Sequence, residues 1–173
     1  MYTSTCHNIC NLYHNNISIL HRVHAIIYTY YNIHHTYYTR SGNLNGAKDL
    51  LKKTEEEAIK VFGHDSYQHG KVLNSLAVCY EKLDNLPEAV TTLTLALSLQ
   101  NFINTTNIDE LLLVSNTYYN LALLYNKLEQ YSDALIQFNM SYRIKKEQLK
   151  LPDSEDDMTV LKEYISEMST KAK

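Results

Sequence analysis

Cys6, Cys10 and His14 stand at i, i+4 and i+8, with His7 alongside. On a helix these ligands would share one face, as a zinc ion could use. The spacing matches no usual finger pattern, and the segment is compositionally biased, so it reads as low-information sequence. His34 and His35 are adjacent and would point to different helix faces, so they would not chelate one ion together. His64 and His69 fall in or near a linker and read as surface residues. Cys79, between two apolar-facing positions, reads as a core thiol rather than a nucleophile. "TEEEAIK" (Thr54–Lys60) reads as a solvated helix face, with Glu56 four residues before Lys60. "SEDD" (Ser154–Asp157) reads as a helix start, not a metal loop. The chain has no paired carboxylates, nucleophile elbow or phosphate loop. The expectation is a non-enzyme that needs neither cofactor nor metal.

The elements around these residues should be helices. Glycine and proline number only four and two in 173 residues, and no strong alternation favours strands. Net charge is −3, which argues against nucleic acid. No apolar run approaches the ~18 residues needed for membrane insertion. The three cysteines give no disulfide framework and point to a reducing compartment. Charge is uneven: the first acid is Asp49, and residues 1–48 hold six of the eight histidines. Residues 49–173 carry all 19 acids.

"LNSLAVCYEKLDNLPEAV" (73–90) returns 45 residues later as "YYNLALLYNKLEQYSDAL" (118–135). Ala47, Ala89 and Ala134 anchor a threefold superposition. Nine residues before each stands Tyr38, Tyr80 or Tyr125; three before, Leu44, Leu86 or Tyr131; four after, Leu51, Leu93 or Phe138. Twelve before come His35, Ala77 and Ala122. Small residues let paired helices approach, and the large ones fill the space around them.

This pattern resembles the tetratricopeptide repeat (TPR) family. Phe62-Gly63-His64-Asp65 and Leu73-Asn74-Ser75-Leu76-Ala77 are similar to the linker and helix start of the longer, kinesin-light-chain-like repeats. The resemblance implies an all-α, TPR-type helical hairpin solenoid of about three repeats plus a C-terminal capping helix. Residues 25–151 would hold the repeats (about 25–62, 67–100 and 109–150), with Gly42 in the first turn between helices and "NFINTTNIDE" (101–110) a loop. The third repeat's second helix would run over 131–150. Residues 152–173 would form the capping helix, with Asp153 or Ser154 as its cap. Its buried face would be Met158, Leu161, Tyr164 or Ile165, and Met168.

Residues 1–24 are expected to be an irregular N-terminal segment, a leader or a stretch before the true start being the alternatives. Three readings stay open for residues 1–40: an irregular first helix preceded by another from about Asn8 to Ala25, an organelle leader, or a wrongly assigned start. The last rests on Ile, His, Thr and Tyr codons, which a TA/CA-rich DNA repeat would yield. His35 at the small-residue place crowds the first repeat. Membership of a longer repeat array also stays open.

The resemblance further implies a peptide groove lined by the first helix of each repeat. Its places fall on Thr29, Asn32, Ile33 and Thr36; on Lys71, Asn74, Ser75 and Val78; and on Asn116, Tyr119, Asn120 and Leu123. Asparagine amides there would pair with a peptide backbone, since an amide both donates and accepts. The heat-shock chaperone carboxylate clamp is not expected, because the places for its cations hold Asn32, Asn116 and Asn120, and the places for its asparagines hold Thr36 and Ser75. The implied function is non-enzymatic binding of a protein or peptide partner, as an adaptor or assembly factor, most simply in the cytoplasm. A mitochondrial respiratory-chain assembly factor and a constitutive subunit of a cytoskeletal or ciliary complex are the alternatives.

Overall fold

A computed structural model describes residues 43–99 and 106–173, and six α-helices run through them. They are α1 (Leu44–Phe62), α2 (Tyr67–Lys82), α3 (Leu86–Leu99), α4 (Ile108–Lys127), α5 (Tyr131–Arg143) and α6 (Asp156–Lys171). A π-helical turn, Ile144–Gln148, extends α5. Helix starts follow side-chain chemistry. Asn43 accepts a hydrogen bond from Gly46 N at 3.0 Å, Ser66 from His69 N at 3.2 Å, and Asn107 from Asp109 N at 3.0 Å. Each bond satisfies a backbone donor that the helix itself leaves without a partner. Pro87 is the second residue of α3, where a missing N–H does no harm.

The turns inside the two hairpins α2–α3 and α4–α5 are built alike. Asn85 N donates to Tyr80 O at 2.9 Å, and Gln130 N to Tyr125 O at 2.9 Å. These six-to-one closures are Schellman motifs. Both need a left-handed residue, supplied by Asp84 and Glu129, each at φ 58°.

Every helix packs on the next in chain order. Between α2 and α3 the closest layer holds Ala77 and Ala89, surrounded by Leu93, Tyr80 and Leu86, with Leu121 and Leu124 reaching in from α4. Between α4 and α5 the equivalent layer holds Ala122 and Ala134, with Phe138, Tyr125 and Tyr131 around it. Ala47 and Leu51 of α1 pack on Leu76 and Cys79 of α2. Burial raises the pKa of the Cys79 thiol, which donates to Leu44 O, consistent with a core thiol. This is the expected all-α solenoid of helical hairpins. The expected first helix near 25–41, the Gly42 turn, the histidine pair and the Cys6/Cys10/His14 cluster lie outside the described residues.

Two local expectations are corrected and one is refined. His69 is not a surface residue but 1% exposed. Its Nδ1 meets the His64 carbonyl and its Nε2 lies 3.3 Å from Glu55 Oε1, tying the α1–α2 linker down. The second helix of the last hairpin spans nearly the expected residues but changes character: the α-helix ends at Arg143 and continues as the π turn to Gln148. Neither Asp153 nor Ser154 caps α6; Glu155 holds the cap position without a side-chain bond. Asp153 instead meets Lys146 at 2.8 Å and Lys162 at 3.3 Å. Hydrogen bonds from Lys146 and then Lys162 hold its carboxyl below the usual pKa. This contribution is present at neutral pH and fades as acid protonates the carboxylate. Along α6, Met158, Leu161 and Met168 are buried. Leu161 and Met168 join the core of the last hairpin, so α6 covers its outer end.

The turn geometry makes a prediction. A left-handed backbone costs an L-residue about 1–2 kcal/mol, and glycine gives back about 0.5–1 through the unfolded chain. Glu129→Gly should therefore stabilise the protein by about 0.5–1 kcal/mol. Urea unfolding with an unchanged m-value measures this, and a loss of stability would show that Glu129 is held by more than its turn.

Candidate functional site

Helices α2 and α4 are the first helices of the two hairpins, and they touch one another along the stack. Asn74 of α2 sits at that junction, only 7% exposed. Its Nδ2 donates to Gly70 O at 3.0 Å and to Thr117 Oγ1 of α4 at 2.8 Å. The Thr117 hydroxyl lies 2.8 Å from Leu113 O and 3.1 Å from Asn74 Oδ1. Both amide donors are spent inside the protein, so Asn74 pins neighbouring hairpins together and has none left for a peptide. The groove expectation for Asn74 is corrected on that ground. Ser75 is also buried, at 4%, and cannot face a ligand. Lys71 stands 5.4 Å over the Tyr67 ring, and Val78 is half-buried. Asn32 lies outside the described residues.

The α4 positions behave differently. Asn116 is exposed, and Tyr119, Asn120 and Leu123 are half-buried. Asn116 and Tyr119 line a cleft of about 330 Å³, together with Lys145 of the π turn and Asp157 and Val160 of α6. The Tyr119 ring stands edge-on to Phe138 at 5.7 Å and to Tyr164 at 6.1 Å, while Phe138 and Tyr164 stack at 4.9 Å. Burial, then proximity to Tyr164, raises the Tyr119 pKa, so its phenol stays protonated at neutral pH. The Lys145 side chain is 5% exposed, and its Nζ lies 2.7 Å from Asp157 Oδ2. Asp157 is 68% exposed.

Sequence reasoning missed Thr117, Lys145, Asp157 and Val160. Thr117 left a trace: one repeat earlier its place is filled by Val72, so a hydroxyl in an apolar slot was visible. Lys145 left none, because α6 and the π turn together bury it. No group of three or more His, Cys, Asp or Glu side chains among the described residues could hold a metal ion. No described helix is long and apolar enough to cross a membrane.

No known family model and no curated protein matches this chain. Solved structures do. The chain has a TPR-like helical repeat fold, similar to the nearly identical TPR-like repeats of a kinesin light chain candidate from Podosopora anserina. That structure and a singly substituted form of it each align with a TM-score of 0.71 at 15% identity, covering 84% of this chain and 66% of theirs. BtubC (BKLC) from P. vanneervenii aligns with a TM-score of 0.67 at 17% identity, covering 82% of this chain and 55% of that one. The chain thus spans just under two thirds of the first two structures and little more than half of the third. The repeats are kinesin-light-chain-like in fold.

The Asn74–Thr117 junction generates the second prediction. Asn74→Ala leaves buried polar groups unpaired and should cost about 1–3 kcal/mol. Adding Thr117→Val should cost much less than the sum of the two single changes, with a coupling of about 0.5–3 kcal/mol. A double-mutant cycle by chemical denaturation measures it; strict additivity would mean that the junction does not work as a pair.

Proposed function

We propose that this protein is a non-enzymatic interaction scaffold that binds an extended segment of a partner protein along α2 and α4, as an adaptor or assembly factor. The observation that carries this reading is the pair Asn116 and Asn120. They stand four residues apart and so share one face of α4. Neither side chain has a hydrogen-bond partner among the described residues, whereas Asn74, one repeat earlier, is fully engaged inside. Beside them, Tyr119, Leu123 and Val78 are half-buried apolar or aromatic surfaces. An amide ladder with apolar flanks suits a peptide held by its backbone, with its side chains adding specificity. The likeness of the fold to TPR-like repeats supports a binding role, since repeat stacks offer extended surfaces rather than enclosed reaction chambers.

The test is selection of octapeptides from a displayed library on the wild-type chain, followed by affinity measurement. Asn116→Ala with Asn120→Ala should weaken the selected peptides at least about tenfold while leaving the unfolding free energy within about 0.5 kcal/mol of wild type. Unchanged affinity in the double variant would move the binding surface elsewhere on the molecule.

A further inference from the structure

The cleft beside the middle of α4 has a chemistry of its own. A lysine is rarely fully buried unless it is paired, because desolvating an ammonium is expensive. Lys145 is 4% exposed over the whole residue, and Asp157 Oδ2, at 2.7 Å, is the one acceptor its ammonium meets among the described residues. An ammonium has three N–H donors, so two remain. Asp157, being mostly exposed, keeps lone pairs on its open side. Ile144 and Lys145, successive residues of the widened turn, are both buried: Ile144 packs on Leu111 and Val114, and Lys145 lines the cleft. A widened π turn often marks a functional position. The result is an adjacent donor and acceptor, neutral as a pair, beside the exposed Asn116 and the half-buried Tyr119 in a cleft of about 330 Å³.

We propose that this cleft is a specificity pocket for a side-chain carboxamide, a Gln or Asn presented by the bound peptide. This inference rests on the peptide-binding reading above and names one of its subsites. The argument is charge balance. A carboxylate would gain from Lys145 but be repelled by Asp157, and an ammonium or guanidinium would meet the reverse. Either would leave a net charge in a partly desolvated site. A carboxamide does neither: its carbonyl accepts from the free Lys145 N–H, and its NH₂ donates to Asp157. Val160 supplies an apolar wall for the methylenes of the ligand side chain.

The decisive experiment uses the full chain and three fluorescein-labelled octapeptide pools. Each pool has Gln, Glu or Lys at one central position, and Ala, Leu, Ser and Thr randomised elsewhere, so that no other position carries a carboxamide. Gln and Glu have the same shape and differ in charge. Fluorescence anisotropy should show the wild type binding the Gln pool on the order of tenfold more tightly than the Glu or Lys pool. Asp157→Asn removes the carboxylate and should move the preference to Glu; Lys145→Met should move it to Lys. Should Lys145→Met fail to fold, the exposed Asp157→Asn decides alone, since a merely structural pair would not reverse a charge preference. Equal binding of all pools, a wild-type preference for Glu or Lys, or an unchanged ranking in Asp157→Asn overturns the carboxamide pocket. If the pools bind equally but lose affinity with Asn116→Ala and Asn120→Ala, the pocket alone falls and the groove stands. If no pool binds the wild type, both readings fall.

Discussion

The structure depends on how closely two antiparallel helices can approach at an alanine. Ala77 against Ala89, and Ala122 against Ala134, are essentially without solvent exposure. A larger side chain at any of these places would push the helices apart, and the rings and branched chains around them would lose their contacts. Tyr80, Leu86 and Leu93 around one contact, and Tyr125, Tyr131 and Phe138 around the other, fill the remaining gap. Each hairpin then leaves an apolar face that only the next hairpin can cover. Leu121 and Leu124 cover it for the first, and Leu161 and Met168 for the second. Stacking is thus a consequence of the close contact rather than a separate device.

Where two hairpins meet, a polar bond takes over from shape. Asn74 and Thr117 exchange hydrogen bonds in a buried site, where an unmade bond is costly and a made one fixes register. Lys127 and Glu81 pair across the same two helices nearer the surface. The relative setting of α2 and α4 is therefore held at two depths. A surface built across them, holding Val78, Asn116, Tyr119, Asn120 and Leu123, is pre-shaped, and pre-shaping reduces the ordering that binding would otherwise require.

The last helix does more than shield the core. By laying Tyr164 on Phe138 and Asp157 against Lys145, α6 gives the cleft beside the middle of α4 a wall. Asp153 gathers Lys146 and Lys162 beside it, tying α6 to the π turn outside the apolar contact. The cleft thus lies where α6 meets α4 and the π turn.

The repeating frame could be read from the bare chain. The period of 45 residues, the alanines at its close contacts and the large residues at fixed distances from them are local demands. They recur because each hairpin solves the same packing problem. They made the helical hairpins, the core thiol at Cys79 and the buried face of α6 legible before any fold was known. The fate of the polar side chains was settled by packing in three dimensions. Asn74 and Asn120 both looked like groove amides, yet Asn74 meets a threonine where the corresponding repeat offers valine, and so turns inward. His69 looked like a linker residue until Glu55 and the His64 carbonyl closed around it. Lys145 became a pocket residue when a helix outside the repeat pattern packed over it. An apolar side chain needs only a dry surface, and its spacing announces which face is dry. A polar side chain needs a partner at hydrogen-bond distance, and the partner side chains here lie 12 to 43 residues away, where spacing along the chain says nothing about them.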